Sequence, residues 1–278
     1  MRAKGQNGFR MFRCGMAGVQ AVVARSDHRF ARHTHDQYGI GVIESGAQKS
    51  ASGRGPVEAG PGDVITVNPG EVHDGAPIGD DGRFWRMLYF DPDVITGAVA
   101  DIRQGRPGDF EFADPVLRHP PHATTMRQLF TAMTAERAGT ELRRQELLLT
   151  LLAEVLRETP EPKPVPRAIR AARERIDDDP AKAVSLADLA EPAGISQFQL
   201  LRAFDKATGL TPHAYLIQRR VQLARKLIVG GAGLAEAALA SGFSDQSHMT
   251  RIFTRSFGLS PHLYAVSARP PQASGGPC

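Results

Sequence analysis

Three histidines and two clusters of glutamine and arginine are the side chains of this sequence best suited to chemistry. His33 and His35 stand two apart in FARHTHDQYG, and His73 follows in NPGEVHDG. Imidazole forms directional hydrogen bonds and also suits zinc, iron and nickel, so three of them could line a pocket or form a metal site. Farther along, Gln197, Phe198, Gln199 and Arg202 fall on one segment, and Gln246, Ser247, His248, Thr250 and Arg251 on another. Gln and Arg can make two hydrogen bonds in one plane, the geometry needed to read a base edge. There is no nucleophile elbow, P-loop or dinucleotide fingerprint. Cys14 and Cys278 lie near opposite ends and form no CxxC, zinc spacing or disulfide framework, which fits a reducing cytoplasm.

The elements that must position these groups fall into two regions, as the length of 278 residues suggests. The hydrophobic share of 41% and charged share of 23% are those of an ordinary globular chain. The longest apolar run, around Leu147–Leu152, is far short of a membrane span, and no apolar core follows the basic N-terminus, so neither a span nor a secretory signal is expected. Residues 1–166 carry 20 Lys/Arg against 21 Asp/Glu, whereas residues 167–268 carry 13 against 9. The positive excess lies in the C-terminal part, a weak pointer to nucleic acid that a solvated surface would give as readily.

Residues 1–15 read as a loose N-terminus. From 16 to 92, Val19–Val23, Tyr38–Glu44, Val64–Val67 and Phe84–Phe90 are strand-like and separated by SGAQ, SGRGP, AGPGD, NPGE and GDDGR turns, which suggests a barrel or sandwich. After Pro121 the period changes. Met126, Leu129, Phe130 and Met133, then Leu148, Leu151, Leu152 and Val155, follow helical spacing and predict two helices parted near 138–140. These two helices are candidates for dimer contacts, for packing on the barrel, or for both. TPEPKPVP at 159–166 predicts an extended linker and the domain boundary. Residues 167–268 are helical in pattern, and 269–278 read as a disordered tail.

An internal repeat occupies the helical region. LADLAEPAGISQFQLLRAFDKATGLTPHAYL (186–216) and LAEAALASGFSDQSHMTRIFTRSFGLSPHLYA (234–265) align at an offset of 48 through Gly194/Gly242 and Ser196/Ser244, then at 49 from Arg202/Arg251 onward. Each copy has the mechanics of a helix-turn-helix. A short helix ends at the glycine, where a left-handed turn is easy. The serine is placed to cap a second helix with an apolar stripe and a free polar face. The units are expected at about 185–206 and 233–257. Pro192, where the second copy has Ala240, predicts a shortened or kinked first helix.

GFSDQSHMTRIFTRSFGLSPHLY, together with RRVQLARKLIVGG (219–231), resembles the AraC/XylS family over residues 167–266. The resemblance implies two recognition helices in successive major grooves about one turn, ~34 Å, apart. FARHTHDQYGIGVIESGAQ and AGPGDVITVNPGEVHDG resemble a cupin barrel and the ligand-binding domain of AraC-type regulators over roughly 18–92. The fold expected is therefore α+β: a cupin-like β-barrel with two following helices (16–158), then an all-α domain with two helix-turn-helix units.

The enzymatic cupin pattern adds a glutamate after His-x-His. Here Tyr38, Gly39 and Ile40 occupy those positions, so no metal, cofactor or catalytic residue is assigned. His33, His35, Tyr38, His73, Trp85 and Met87 are instead the candidate ligand pocket, with Trp85 equally readable as a core aromatic. The function expected is a ligand-responsive, sequence-specific transcription regulator, an activator. Its expected partners are double-stranded DNA, a small polar effector and a second copy of itself, in the cytoplasm and not at a membrane. The alternatives are a metal-dependent cupin enzyme fused to a DNA-binding module, or a ligand-independent DNA-binding protein.

Overall fold

The computed structural model describes residues 8–105, 110–135, 141–156 and 166–268. The proposed linker, apart from Pro166, and the C-terminal tail lie outside these residues, as does the start of the N-terminal segment.

The first region contains β1 (Gly8–Phe12), β2 (Val19–Ser26), β3 (Phe30–His33), β4 (Tyr38–Ser45), β5 (Ala47–Ser52), β6 (Gly55–Ala59), β7 (Val64–Val67), β8 (His73–Ile78), β9 (Arg83–Phe90), α1 (Pro92–Ile102), β10 (Val116–Leu117), α2 (Pro120–Thr134) and α3 (Glu141–Leu156). The strands form two antiparallel sheets, ordered β1-β2-β9-β4-β7-β10 and β3-β8-β5-β6. The cupin-like architecture thus takes the form of two facing sheets rather than one closed sheet. Side-chain alternation splits the six-stranded sheet into two faces. Ala24, Ile43, Ile65 and Trp85 pack toward the second sheet. Ile40, Val42, Leu88 and Phe90 pack against the helices, meeting Leu129, Met133, Leu148 and Leu151. The apolar stripes of α2 and α3 are therefore buried against the sheet.

Seven elements of the first region, β1, β3, β5, β6, β8, β10 and α1, are not among the strands and helices read from the sequence, and β5 and β6 overlap stretches read as turns. β1 lies in the segment read as loose and pairs with β2 from Gly8↔Arg25 to Phe12↔Ala21. Its sequence GFRMF carries two strand-favouring phenylalanines, but it is short and follows a polar stretch, which hides it as a strand until it pairs with β2. Helix α1 buries only Ile95 and Val99, too short a stripe to give a clear period.

The second region contains α4 (Arg167–Asp178), α5 (Leu186–Ala190), α6 (Gln197–Thr208), α7 (Pro212–Val229), α8 (Leu234–Ala240), α9 (Gln246–Phe257) and α10 (Pro261–Ala268). One core gathers Ile169, Leu189, Leu200, Phe204 and Tyr215. Another gathers Val221, Ala238, Met249, Phe253 and Tyr264. The long helix α7 supplies Tyr215 to the first and Val221 to the second, and so ties the two units together. Helix α5 stops at Ala190 and gives way to a 3-10 turn through Pro192, the shortening that proline dictates.

The two regions meet along β3 and the segment that follows it, with a further contact from β2. Gln222 donates from Nε2 to the Thr34 carbonyl at 2.6 Å, and Arg225 pairs with Asp36 at 2.7 Å. Arg32 donates to the Gly209 carbonyl at 2.8 Å, and the Tyr264 hydroxyl donates to Gln20 Oε1 at 2.5 Å.

Candidate functional site

Each helix-turn-helix is built by its turn and its cap. Gly194 and Gly242 both adopt positive φ, 63° and 84°, where a Cβ would be strained. In the first unit Ser196 caps α6: its Oγ accepts from Gln199 N at 3.2 Å, and Gln199 Oε1 accepts in return from Ser196 N at 2.9 Å. In the second unit the cap is Asp245, not Ser244. Asp245 Oδ1 accepts from His248 N at 2.7 Å, while the Ser244 hydroxyl donates to Asp245 Oδ2. A carboxylate suits the positive end of the helix, which explains why it takes the role. The extra residue of the second copy therefore lies before the cap, and Arg202 and Arg251 each stand six residues after it, at one helical position.

On the two helices Gln197, Phe198, Gln199, Arg202, Gln246, Ser247 and Arg251 are exposed. Phe198 is 65% exposed, so it is not a core residue. The Arg202 guanidinium lies 5.8 Å from the Phe198 ring centroid. His248 and Thr250 are half-buried, and the His248 ring packs edge-on against Phe243. Gln199 is held by its capping hydrogen bond. The freest polar groups of the set are thus Gln197, Arg202, Gln246, Ser247 and Arg251.

Between the sheets lies a cavity of about 120 Å³, and His33, His35, His73, Trp85 and Met87 all line it. The His33 and His73 ring centroids are 4.4 Å apart, His33 and His35 4.9 Å, and His35 and His73 5.2 Å. Burial pushes His33 down to about 3, with His73 adding repulsion, and His73 down to about 4; His35 also falls well below the ordinary value through burial. All three are neutral at physiological pH. His33 Nδ1 meets the Ala31 carbonyl at 2.8 Å and His73 Nδ1 meets the Glu71 carbonyl at 3.1 Å. A carbonyl only accepts, so the ring proton sits on Nδ1 and Nε2 keeps its lone pair. The ligand atoms of the three residues lie within 4.8 Å of one another, close enough to hold a metal ion together.

Tyr38 does not join this group. As the first residue of β4 it points to the helix side of the sheet, with Ile40 and Val42, and its hydroxyl donates to the Phe110 carbonyl at 2.6 Å. Alternation along the strand decides this, and Tyr38 belongs to the core.

The cavity also draws residues that sequence reasoning missed. Arg83 and Tyr89 line it together with Trp85 and Met87, so β9 contributes every second residue from 83 to 89. That parity was the available signal. Phe257 and Tyr264 complete the wall from the helical region. Nothing in their local sequence marks them, because their place depends on how the two regions dock. The β3–β4 segment serves both sides: His33 and His35 face the cavity, while Thr34 and Asp36 bond α7.

Comparison with known proteins follows the same division. Residues 18–152 match the AraC-like ligand binding domain, and residues 189–265 match a helix-turn-helix domain. The chain is 34% identical over 232 residues to the HTH-type transcriptional regulator YbfI of Bacillus subtilis (strain 168), covering 80% of this chain and 82% of that one. It is 30% identical over 154 residues to a putative AraC-like transcription regulator of Streptomyces lividans, covering 49% and 51%. The fold is similar to the crystal structure of unsaturated fatty acid bound ToxT from Vibrio cholerae, with TM-score 0.60, 12% identity, and coverage of 96% and 98%. With both domain types present in one chain and a relative matched over most of its length, the chain belongs to the AraC family of helix-turn-helix transcriptional regulators.

Proposed function

We propose that a small molecule bound between the two sheets sets the DNA affinity of the helical domain through the segment from His33 to Asp36. One observation carries this reading. Consecutive residues of that segment alternate between the cavity wall and helix α7, so a ligand that moves His35 acts on the contacts of Thr34 and Asp36. A ligand shifts such an equilibrium only through its difference in affinity for the two arrangements. Gln197, Arg202, Gln246, Ser247 and Arg251 are the proposed DNA contacts, with Phe198, Gln199, His248 and Thr250 around them. Selection of bound duplexes from a random pool, followed by a reporter with the selected site, tests this reading and shows whether the protein activates, as proposed. Recovery of no preferred duplex contradicts it.

Several finer points belong to the same proposal. In this reading the effector is small and bears polar groups, the protein works in the cytoplasm, and it is not an enzyme. Among the described residues no helix is long and apolar enough to cross a membrane. The boundary at 159–166 separates the two domains. A second copy docks on the outward face of α2 and α3, where Leu142 is 77% exposed. Leu142→Glu should then shift the sedimenting species from dimer to monomer.

A second reading has its own observation. Two of three convergent imidazoles are fixed with Nε2 free, and a backbone partner on the other nitrogen is how metal-ligating histidines are commonly oriented. A divalent transition metal held by His33, His35 and His73 would then form part of the effector site. Elemental analysis and Co²⁺ titration of the full chain separate the two readings.

A further inference from the structure

Three arginines are buried in the described residues: Arg83, Arg144 and Arg225. Arg225 has Asp36 at 2.7 Å. Arg144 donates to the carbonyls of Gly15, Ala132 and Ala135 at 2.8–2.9 Å, with Glu141 at 3.4 Å. Arg83 is different. Its residue is 3% exposed and its Nε, like that of Arg225, has no hydrogen-bond partner, but it lacks the acid that Arg225 has. Its other contacts are long ones, Nη1 to the His28 carbonyl at 3.4 Å and Nη2 to the Gly75 carbonyl at 3.5 Å. Among the described residues it forms no ion pair. Burial alone lowers it, to about 10, with no neighbouring acid to offset the loss of water.

This poorly satisfied cation lines the effector cavity. Its guanidinium lies 4.7 Å from the centroid of Trp85 and 5.8 Å from that of Phe30. Phe9 closes on both rings edge to face, at 5.9 Å from Phe30 and 5.8 Å from Trp85. The acids of the cavity wall are already engaged: Glu71 pairs with Arg54 at 2.7 and 2.8 Å, and Asp74 accepts from Ala51 N at 2.7 Å. A buried charge without a partner is unfavourable until one arrives. Here an aromatic wall and a bidentate cation stand side by side without a counter-charge, which is a receptor for an apolar group that bears an anion. The cavity volume of about 120 Å³ limits the apolar part to about one ring.

We propose that the effector is a small monocarboxylic acid with an apolar body about one ring in size, its carboxylate paired with Arg83 and its body packed on Phe9, Phe30 and Trp85. The inference rests on the effector-cavity reading, and names the chemical class that the cavity selects.

The test uses the full chain with benzoate, phenylacetate and hexanoate, each set against its primary amide, by thermal shift and calorimetry. In the native sequence each acid should bind about tenfold or more tightly than its amide, since the amide cannot supply the counter-charge. Arg83→Met should reduce that ratio to about one, and Arg83→Lys should keep part of it. The ligand-free Arg83→Met protein should melt no lower than the native chain, because an unpaired buried charge has been removed. Three results would overturn the inference: amides equal to acids or no acid bound, an acid preference that survives Arg83→Met, or an Arg83→Met protein that melts well below the native chain, which would make Arg83 a packing residue. Equal binding of acids and amides accompanied by a change in DNA affinity would sink the carboxylate class and leave the regulator reading intact. Acid preference without any effect on DNA affinity would support the class and contradict the regulator reading.

Discussion

Asp36 and Arg225 face each other at 2.7 Å across the junction of the two domains, with side chains 10% and 5% exposed. Asp36 directly follows His35 of the cavity wall, and Arg225 belongs to the helix that joins the two helix-turn-helix units. Lys226 adds a second contact to Asp36 at 3.1 Å. Removal of one partner of a buried pair leaves a charge unmatched and costs about 3–5 kcal/mol. Asp36→Ala should therefore destabilise the full chain by a few kcal/mol in urea unfolding, and Arg225→Met added to it should recover part of that loss. Simple additivity in the double-mutant cycle would show that the pair is not coupled.

Arg202 and Arg251 occupy one helical position, six residues after Ser196 and Asp245. An arginine that reads a guanine should cost ~1–3 kcal/mol when changed to Ala and relax preference at that base pair. Gln199 should behave differently, because its side chain closes the cap of α6. Gln199→Ala should lower helix stability, with loss of a cap contact worth about 1 kcal/mol or less, and weaken all duplexes alike. Anisotropy titrations on the selected site and on single-base variants distinguish the two patterns. Wild-type affinity in both arginine variants would remove α6 and α9 from the groove.

The histidine cluster gives stability a pH dependence of defined sign. His33 and His73 have folded values of about 3 and 4, below the ordinary histidine value, and His35 is shifted in the same direction. In that window the unfolded chain binds protons that the fold excludes. The contribution is complete above about pH 6.5 and is lost as pH falls toward the folded values. The urea midpoint should drop across this range, and His73→Gln should flatten the drop. A midpoint independent of pH between neutrality and pH 4 would contradict the neutral, buried cluster.

The helical region supplies nearly all of two cores, around Phe204 and Phe253, to which the N-terminal region adds only Val72 and, at the edge, Met11. A fragment from 167 to 278 should consequently fold and bind DNA, more weakly than the full chain if a second copy contributes avidity. Circular dichroism of the fragment checks this, and a coil spectrum would mean that the contacts of Arg32, Thr34 and Gln20 with it are indispensable.

The sequence made the helix-turn-helix units readable because glycine, cap and apolar stripe are local signals that occur twice. It misplaced one cap, since Ser244 matches Ser196 in type and only the observed helix start reveals that Asp245 performs the role. His33, His35 and His73 are legible as a group, but placing Tyr38 with them overlooks its parity with Ile40 and Val42, which puts it on the helix side of β4. Arg83 shares the parity of Trp85, yet it closes the GDDGR stretch that reads as a turn, whereas β9 begins on it. Phe257 and Tyr264 could not be foreseen, because tertiary docking and not local pattern brings them to the cavity.

The most direct test of the account measures the affinity of the full chain for its selected duplex with and without a saturating amount of the compound that most raises its melting temperature. Coupling between sites is typically 1–3 kcal/mol, so Kd should change by about fivefold or more, and Asp36→Ala should diminish the change. A Kd that stays the same while the cavity is filled would contradict a regulatory link between the cavity and the DNA-binding helices.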